Sequence, residues 1–374
     1  HEFVRHGIAA VLHELVKLAA RCFPLTDNKM QAGAQEIVGR CLPLLLEMMR
    51  MDPDKMCCAE AVDAAKECVE SFKMPILQVA GEPLVETLIV LLQEKAPCQS
   101  YHGEDEDEKD EQDHDEVLID HVTDLLSAIA KAAGPSTFEP IFRRVVPNLL
   151  KFNQPNRDAP DRLMAIGTIG DIAEEMKSRV EPYLNDLFPI IIKSLGDENA
   201  GVRRNGAYTV GILTVHGGEA ARPFFSASIE ALSRLLDIPK DQKDDQQIEA
   251  CRDNATSAIS KIMGKDRSLQ QPPVIDLLMA GVPLLNDLEE ASEVYSRMAQ
   301  LLQSHQNHMA KHLKKVLYVC GVSFANEELA EGVKNGLIPT AKKVAQTLGS
   351  QGTQNAMQNM SQAERQILVK VLSS

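Results

Sequence analysis

The chain has few aromatic side chains and no tryptophan: Phe and Tyr make up 4% of its 374 residues, whereas apolar residues make up 44%. This balance is typical of helical layers built from Leu, Ile, Val and Ala. No segment alternates polar and apolar residues with a period of two, so no β-strand is predicted. No run of 18 apolar residues occurs, and we therefore expect no membrane insertion.

Positive charge is also scarce, because the formal net charge is −15. The run Glu104–Glu116 holds ten acidic residues and one lysine, and so supplies −9 of that charge. No basic stripe is present to neutralise phosphates, which argues against nucleic acid as a partner. A basic protein or peptide is the partner that this charge favours.

Motifs that carry catalysis are missing as well. The sequence contains no P-loop, no Gly-rich dinucleotide turn, no HExxH and no nucleophile elbow. Eight cysteines are scattered without a CxxC pair or a disulfide-like framework, which is typical of a reducing compartment. We therefore predict neither an enzyme nor a cofactor, and no metal site.

A helical repeat is what the sequence does contain. The segment 181–218 predicts two helices joined by a short turn, and the second carries VRRNGAYTVGIL from Val202. About fifty residues later CRDNATSAISKIMG follows the same pattern, and Arg162 lies in the same phase of an earlier helix. A unit that recurs every 40 to 50 residues buries its apolar face only by stacking on its neighbours. The predicted fold is an all-α solenoid.

We predict a single continuous solenoid of about seven or eight repeats over residues 1–374. Within it, residues 101–116 form an acidic flexible loop, since like charges at that density repel and stay solvated. Residues 326–374 form C-terminal capping helices, with a Gly/Gln/Asn-rich loop between them. Proline recurs inside the first helix of a pair, at Pro43, Pro147, Pro189 and Pro283, and predicts a kink that belongs to the repeat.

A kinked first helix, an Asp at the turn and Val-Arg opening the second helix resemble the HEAT repeat, here Pro189, Asp197 and Val202-Arg203. The two second helices quoted above, with an acidic loop in an upstream repeat, resemble the C-terminal half of an importin-beta family karyopherin, nearest its importin-four branch. The helix from Val4 begins mid-repeat, so we expect the chain to be a fragment.

This resemblance implies a nuclear import receptor that shuttles between cytoplasm and nucleus. The implied cargoes are basic proteins, core histone tails first and ribosomal proteins second. Nucleoporins and Ran GTPase are partners of a full-length receptor in this family. The family binds Ran mainly through N-terminal repeats, so we do not expect Ran to bind this chain. We expect a monomer.

Alignment of the second helices places Asp124, Met164, Asn205 and Asn254 in one column. Residues three, four, seven or eleven positions away share the same helix face. The predicted cargo-binding residues are Asn205, Asn254, Tyr208, Asp171, Glu175, Glu198, Asp124 and Asp120. A carboxylate forms a charge-assisted bond with a Lys ammonium, and an Asn amide can pair with any peptide unit. The resemblance implies the same role, since the family uses second-helix Asn residues on cargo backbone.

Each of these interpretations has an alternative. The Asn residues could bond between neighbouring helices, and the acids could be ordinary solvated charges. Asp197, Arg162, Arg203 and Arg252 fit a structural ladder, with contact to acidic cargo as the alternative. The acidic loop is either a solvated spacer or a polyanion that captures basic cargo. His305, His308 and His312 share a helix face, but no Cys or acid completes a metal site in the sequence.

A second function class also remains open. A HEAT-repeat scaffold subunit that organises an enzyme complex has the same repeat pattern and the same lack of catalytic motifs. Binding of a Lys-rich peptide distinguishes the two, because only the import receptor requires it.

Overall fold

The computed structural model describes residues 2–100, 108–237 and 246–374. These residues form helices joined by short turns, with no β-strand among them, which confirms the all-α prediction. The chain divides into two compact units, His1–Pro182 (unit 1) and Tyr183–Ser374 (unit 2). The single continuous solenoid over residues 1–374 stays a prediction.

In unit 1 the described helices are α1 (Glu2–Cys22), α2 (Ala32–Met51), α3 (Lys55–Leu92), α4 (Pro97–Ser100), α5 (Glu108–Ala133), α6 (Pro135–Phe152) and α7 (Ala159–Met176). The 3-10 segment Lys177–Tyr183 ends this unit and leads into the next helix. Helix α3 is two helices in one run, because Lys73 has a non-helical backbone with φ 48°.

In unit 2 the described helices are α8 (Leu184–Ser194), α9 (Ala200–His216), α10 (Phe225–Ser233), α11 (Gln246–Lys265), α12 (Pro272–Gly281), α13 (Ala291–Ser304), α14 (Gln306–Met309), α15 (Leu313–Ala325), α16 (Glu331–Ala356) and α17 (Gln362–Ser373). Short 3-10 segments precede α10, α13 and α15.

Local side-chain caps explain where several second helices begin. Asp54 accepts from Cys57 N at 2.7 Å at the start of α3, and Asp158 accepts from Asp161 N at 3.0 Å at the start of α7. Asn199 accepts from the first amides of α9, Gly201 N at 2.8 Å and Val202 N at 3.2 Å. Asp and Asn are favoured at this position because their oxygens satisfy amides that have no partner within the helix.

Four of the connections from a second helix to the next first helix turn at a single residue with a positive φ. Lys73, Gly134, Lys177 and Gly218 have φ of 48°, 73°, 53° and 53°. A positive φ reverses the chain direction within one residue and strongly favours glycine. Two of these four connections nevertheless use lysine.

The second helices pack side by side within each unit. In unit 1, α1 contacts α3, α3 contacts α5, and α5 contacts α7; in unit 2, α9 contacts α11, and α11 contacts α13. First helices pack on their partners, as α2 does on α3, α6 on α7 and α8 on α9. The largest fully buried side chains, among them Phe72, Phe142 and Phe188, lie in the interior that these layers enclose.

One stretch, Lys55–Ser100, is long and apolar enough to cross a membrane by length and composition alone. It includes the break at Lys73, and α3 buries Val62, Phe72 and Leu88 within unit 1. This stretch is therefore accounted for as core helices of the repeat.

The prediction of an acidic loop over residues 101–116 is wrong for the second half of that range. Residues 101–107 lie outside the described residues, but α5 begins at Glu108 and includes residues 108–116. Acidic residues are favourable in the first turns of a helix, because they face the positive end of its dipole. In addition, Lys55 Nζ donates to Asp115 Oδ2 at 2.8 Å and ties α5 to α3.

Two further expectations need correction. Helix α12 ends at Gly281, so Pro283 follows a helix instead of kinking one, unlike Pro43, Pro147 and Pro189, which lie inside helices. Within residues 326–374 the predicted helices are present as α16 and α17. The loop predicted between them is shorter than expected, since α16 continues past a break at Gly349 to Ala356. Their role as a cap stays a prediction.

Candidate peptide-binding groove

A polar cavity of about 660 Å³ lies in unit 2, between α9, α11, the loop 282–290 and the segment after α15. It is called the groove below. Its lining residues are Arg204, Asn205, Tyr208, Gln246, Gln247, Ala250, Asn254, Asn286, Asp287, Leu288, Glu289 and Glu328. The structure therefore brings together three predicted site residues, Asn205, Tyr208 and Asn254, on two neighbouring second helices.

Asn205 is half-buried on α9, where the Arg204 guanidinium covers its oxygen. Arg204 Nε and Nη2 each lie 3.4 Å from Asn205 Oδ1, and Nη1 lies 3.3 Å from Gln247 Oε1 on α11. These long contacts are weaker than ordinary hydrogen bonds. The guanidinium therefore covers the Asn205 oxygen through weak contacts.

Asn254 lies deeper than Asn205, with 6% of its surface exposed. Its Nδ2 donates to Ala250 O, one turn earlier, at 3.1 Å. An Asn side chain has two amide hydrogens and one oxygen, and Asn254 also hydrogen-bonds the Asp287 carboxylate at the groove. The bond to its own helix supports part of the alternative reading, in which this Asn serves the fold.

Asp253, next to Asn254, explains the shape of the loop that faces the groove. Its side chain is fully buried, and Oδ2 accepts from Leu285 N, Asn286 N and Asp287 N at 2.7, 2.7 and 3.2 Å. A carboxylate that accepts several backbone amides forms strong, charge-assisted bonds. Asp253 thus fixes the loop that presents Asp287 to the groove.

The other end of this loop is also fastened to α11. Glu290 accepts from Ser257 Oγ at 2.6 Å through Oε2 and from Lys261 Nζ at 2.7 Å through Oε1. Burial, together with the charges of Glu290 and Asp253, raises the pKa of Asp287. Asp287 therefore carries a carboxylate that gains from a cation placed beside it.

The lining chemistry suits an extended basic peptide. Three carboxylates, Asp287, Glu289 and Glu328, can accept from ammonium groups. The carboxamides of five Asn and Gln residues offer donors and acceptors to peptide units. Among the described lining residues Arg204 alone is cationic, so the groove is acidic on balance.

The other predicted acids lie elsewhere. Glu198 is exposed ahead of α9 and does not line the groove. Asp171 is exposed and Glu175 is half-buried on α7 of unit 1. These three stay predictions as cargo contacts.

Asp120 and Asp124 are exposed, one turn apart, on α5 of unit 1. Asp124 Oδ2 accepts from Lys66 Nζ at 2.9 Å. Partial desolvation and the neighbouring charge of Asp124 raise the pKa of Asp120. A cargo lysine at Asp124 would have to compete with Lys66, and the pair stays a prediction as a cargo site.

Two of the arginines predicted for a ladder bond to backbone carbonyls. Arg203 Nη1 donates to Asp197 O and Glu198 O at 2.8 and 2.9 Å. Arg162 Nη1 donates to Arg157 O in the turn before its own helix. Both guanidiniums brace the turn that precedes their own second helix.

Arg252, the third of the arginines predicted for the ladder, contacts a later segment instead of its own turn. Its Nη2 donates to Pro283 O at 3.0 Å, in the loop that follows α12. Arg203 also extends toward α11, where its charge opposes the burial that raises the pKa of the Cys251 thiol to about 11. Arg203 and Arg162 thus brace their own turns and Arg252 the next loop, and a ladder between neighbouring repeats stays a prediction.

The histidine cluster is completed by an acid that the sequence reading missed. Asp276 lies on α12, and its Oδ1 accepts from His308 Nε2 at 2.8 Å and from His312 Nε2 at 2.7 Å. His305 lies outside this cluster, with its Nδ1 2.8 Å from Ser304 Oγ. The expectation that no acid accompanies these histidines is wrong, because Asp276 is about thirty residues away in sequence.

Sequence reasoning also missed most of the groove. Asp287, Glu289 and Glu328 lie between the α-helices; the acidic run NDLEE (286–290) signalled the first two, and nothing in the helix alignment signalled Glu328. Asp253 occupies the column of Arg204, so the alignment of second helices pointed away from its buried role.

Comparison with known proteins shows which proteins this chain resembles. No family model matches the chain. Human importin-4 is 24% identical over 326 residues, which cover 85% of this chain and 29% of the relative. The probable importin subunit beta-4 of Schizosaccharomyces pombe is 24% identical over 242 residues, covering 64% of this chain and 22% of the relative. The chain thus spans less than a third of the length of these relatives.

Solved structures show the same repeat architecture. Karyopherin Kap121p bound to the SUMO protease Ulp1p has a TM-score of 0.67 at 14% identity, covering 91% of this chain and 31% of that one. Importin beta has a TM-score of 0.62 at 12% identity, covering 97% of this chain and 48% of that one. These matches confirm the HEAT-repeat solenoid fold. In sequence the chain is thus similar to importins, and in fold it is similar to karyopherins of the importin-beta type.

Proposed function

We propose that this chain is part of a nuclear import receptor and that it binds a Lys-rich localisation segment of basic cargo in the groove. The observation that carries the proposal is the groove itself, where amides from α9 and α11 face carboxylates from the neighbouring loops. The similarity to importins supports the same role. The relatives are named importins, and solved Kap121p structures hold Ulp1p, Ste12p and the C-terminus of Cdc14p.

Binding would divide between two kinds of contact. Lys ammonium groups would bond to Asp287, Glu289 and Glu328, which supply charge-assisted acceptors. Asn205 and Asn254 would bond to peptide units, and so hold the backbone whatever the side chains. The Tyr208 ring would cover the aliphatic stem of a lysine, since long basic side chains bury their methylenes on apolar surface.

Core histone tails are the cargo class that we place first, and ribosomal proteins second. Both are rich in lysine, and the chain's net charge of −15 favours encounter with them. In this proposal the receptor shuttles between cytoplasm and nucleus and engages nucleoporins as a whole protein. Kap121p has been solved with RanGTP, but we assign no Ran contact to the residues of this chain.

The test is binding of a fluorescent Lys-rich histone tail peptide to the 374-residue chain at two salt concentrations. We expect saturable binding that weakens at high salt, because exposed charges are screened within about 10 Å at 0.1 M. The double variant N205A/N254A should bind at least about tenfold more weakly, since it loses two hydrogen bonds worth roughly 1 kcal/mol each.

Asn148 provides a matched control in unit 1. It is buried like Asn254, with 5% exposed, and its Nδ2 donates to Arg144 O at 3.2 Å, one turn earlier. Asn148→Ala therefore loses the same kind of internal bond without touching the groove. Equal affinity of N205A/N254A and the parent would remove the groove assignment. If no basic peptide binds the parent, the scaffold alternative is favoured instead.

A further inference from the structure

Two helical segments of unit 2 bring an acid and two histidines together away from the groove. Asp276 belongs to α12, His308 to α14, and His312 to the 3-10 turn that leads into α15. Both imidazole Nε2 atoms point at the same carboxylate oxygen, at 2.8 and 2.7 Å. The three ligand-type atoms all lie within 4.8 Å of one another.

The carboxylate is held so that one oxygen is left for the histidines. Lys311 Nζ donates to Asp276 Oδ2 at 2.8 Å, while Oδ1 faces both rings. In metal sites such an outer hydrogen bond fixes the direction of a ligating carboxylate. Lys311, which lies between the two histidines in sequence, thus orients the Asp276 carboxylate.

The geometry is close to that of a tetrahedral ion site. Nitrogen and oxygen ligands bind Zn²⁺ at about 2.0–2.2 Å, which separates neighbouring ligand atoms by roughly 3.3 Å. The present separations of 2.7 and 2.8 Å to Asp276 Oδ1 require only small side-chain rotations to open. Two His residues and one carboxylate leave a fourth position for water.

Solvent can reach the cluster. The side chains of His308, His312 and Asp276 are 21%, 18% and 41% exposed. An ion can therefore enter without opening the core, yet the site is enclosed enough to hold its ligands on two segments. This combination is unlike an exposed acidic patch, because imidazoles select transition metals over Mg²⁺ and Ca²⁺.

We propose that Asp276, His308 and His312 form a binding site for a divalent transition-metal ion of the Zn²⁺ type. The ion would join α12 to the segment that precedes α15, and so cross-link successive elements of unit 2. Such a site does not depend on the cargo groove, and it can be present or absent whatever the fate of the peptide-binding proposal.

The experiment is a Zn²⁺ titration of the 374-residue chain at neutral pH, with a competing chelator and with Co²⁺ absorption as a second readout. Imidazoles must be neutral to bind a metal, which sets the pH. Asp276→Asn keeps the shape of the acid and should weaken binding at least about tenfold, since even outer-sphere partners contribute 10- to 100-fold. H308A/H312A should abolish the tetrahedral Co²⁺ bands.

His305→Ala is the matched control, because it removes a histidine of the same segment that lies outside the cluster. It should bind Zn²⁺ as the parent does. Zn²⁺ should also raise the thermal unfolding midpoint of the parent and of His305→Ala, but not of Asp276→Asn, since a ligand stabilises the state that binds it. His312→Gln replaces the double variant if circular dichroism shows that the latter is unfolded. Equal Zn²⁺ affinity of the parent, Asp276→Asn and His312→Gln would overturn the proposal.

Discussion

Helix α9 carries VRRN at 202–205, and helix α11 carries CRDN at 251–254, in corresponding positions. The Asn of each lines the groove, but the residue just before it does opposite things. On α9, Arg204 lies over Asn205 at the groove wall. On α11, Asp253 is fully buried and holds three amides of the next loop. The same position in two stacked repeats thus serves a surface in one and the core in the other.

This contrast shows how a repeat protein can vary its surface without changing its backbone. Repeats contact only their neighbours, so a substitution in one column is felt mainly by the next hairpin. The loop 282–290 needs Asp253 because its amides turn inward.

The largest expected effect is on stability. Asp253→Ala should lower the free energy of unfolding by about 3 kcal/mol, because three partly buried amides lose their acceptor. Arg204→Ala should change it by no more than about 0.5 kcal/mol, as is usual for surface side chains. Urea unfolding followed by circular dichroism measures both. Asp253→Asn keeps one oxygen and should lie between them. If Asp253→Ala and Arg204→Ala unfold at the same midpoint, the two positions do not differ as described.

The second effect is a pH dependence of peptide binding. Burial, with Glu290 and Asp253 nearby, raises the pKa of Asp287. Its carboxylate is therefore protonated at a higher pH than an ordinary Asp, and on acidification the affinity for a Lys-rich peptide without histidine should begin to fall at a higher pH than an ordinary Asp would give. The loss should approach roughly tenfold, as for one charge-assisted hydrogen bond. Fluorescence anisotropy at several pH values measures it.

Asp287→Asn should already bind weakly at pH 7 and should lose most of this pH dependence. Glu327→Gln is the matched control, because Glu327 is exposed beside Glu328 but does not line the groove. It should keep the pH profile of the parent. A profile unchanged in Asp287→Asn would mean that another group titrates.

The smallest effect concerns Arg204 in binding. Arg204→Ala removes a like charge facing the cargo lysines and uncovers the Asn205 oxygen, so affinity should rise by about two- to fivefold, the range of one exposed ion pair. The same anisotropy assay measures it, with Arg234→Ala as the surface control, since Arg234 lies just after α10 and pairs with Glu230. Weaker binding by Arg204→Ala would instead make Arg204 a direct cargo contact.

Features set by neighbours in sequence could be predicted, and features set by neighbours in space could not. The second helix of the segment 181–218 is predicted from the sequence and is found at Ala200–His216, because its Asn199 cap and its apolar period are local. Asn205 and Asn254 were placed on adjacent helices by their phase alone. The groove acids were not, since the loop around Asp287 is shaped by bonds from Asp253, more than thirty residues earlier.

The acidic run shows the opposite error. Charge density predicted a loop to Glu116, but a helix start tolerates acids, and Asp115 has a buried partner in Lys55. The sequence of α5 could not reveal that contact, because Lys55 lies sixty residues away. The Asp276 cluster was missed for the same reason.

The one-residue connections have a practical consequence for anyone who wants a sturdier form of this chain. Lys73 and Lys177 hold φ of 48° and 53°, where a side chain is strained and glycine is not. Lys73→Gly and Lys177→Gly should each add on the order of 1 kcal/mol, the cost of left-handed backbone for an ordinary residue. Neither position lies in the groove or in the histidine cluster. Two single-codon changes would therefore give a more heat-resistant reagent for both sets of binding experiments.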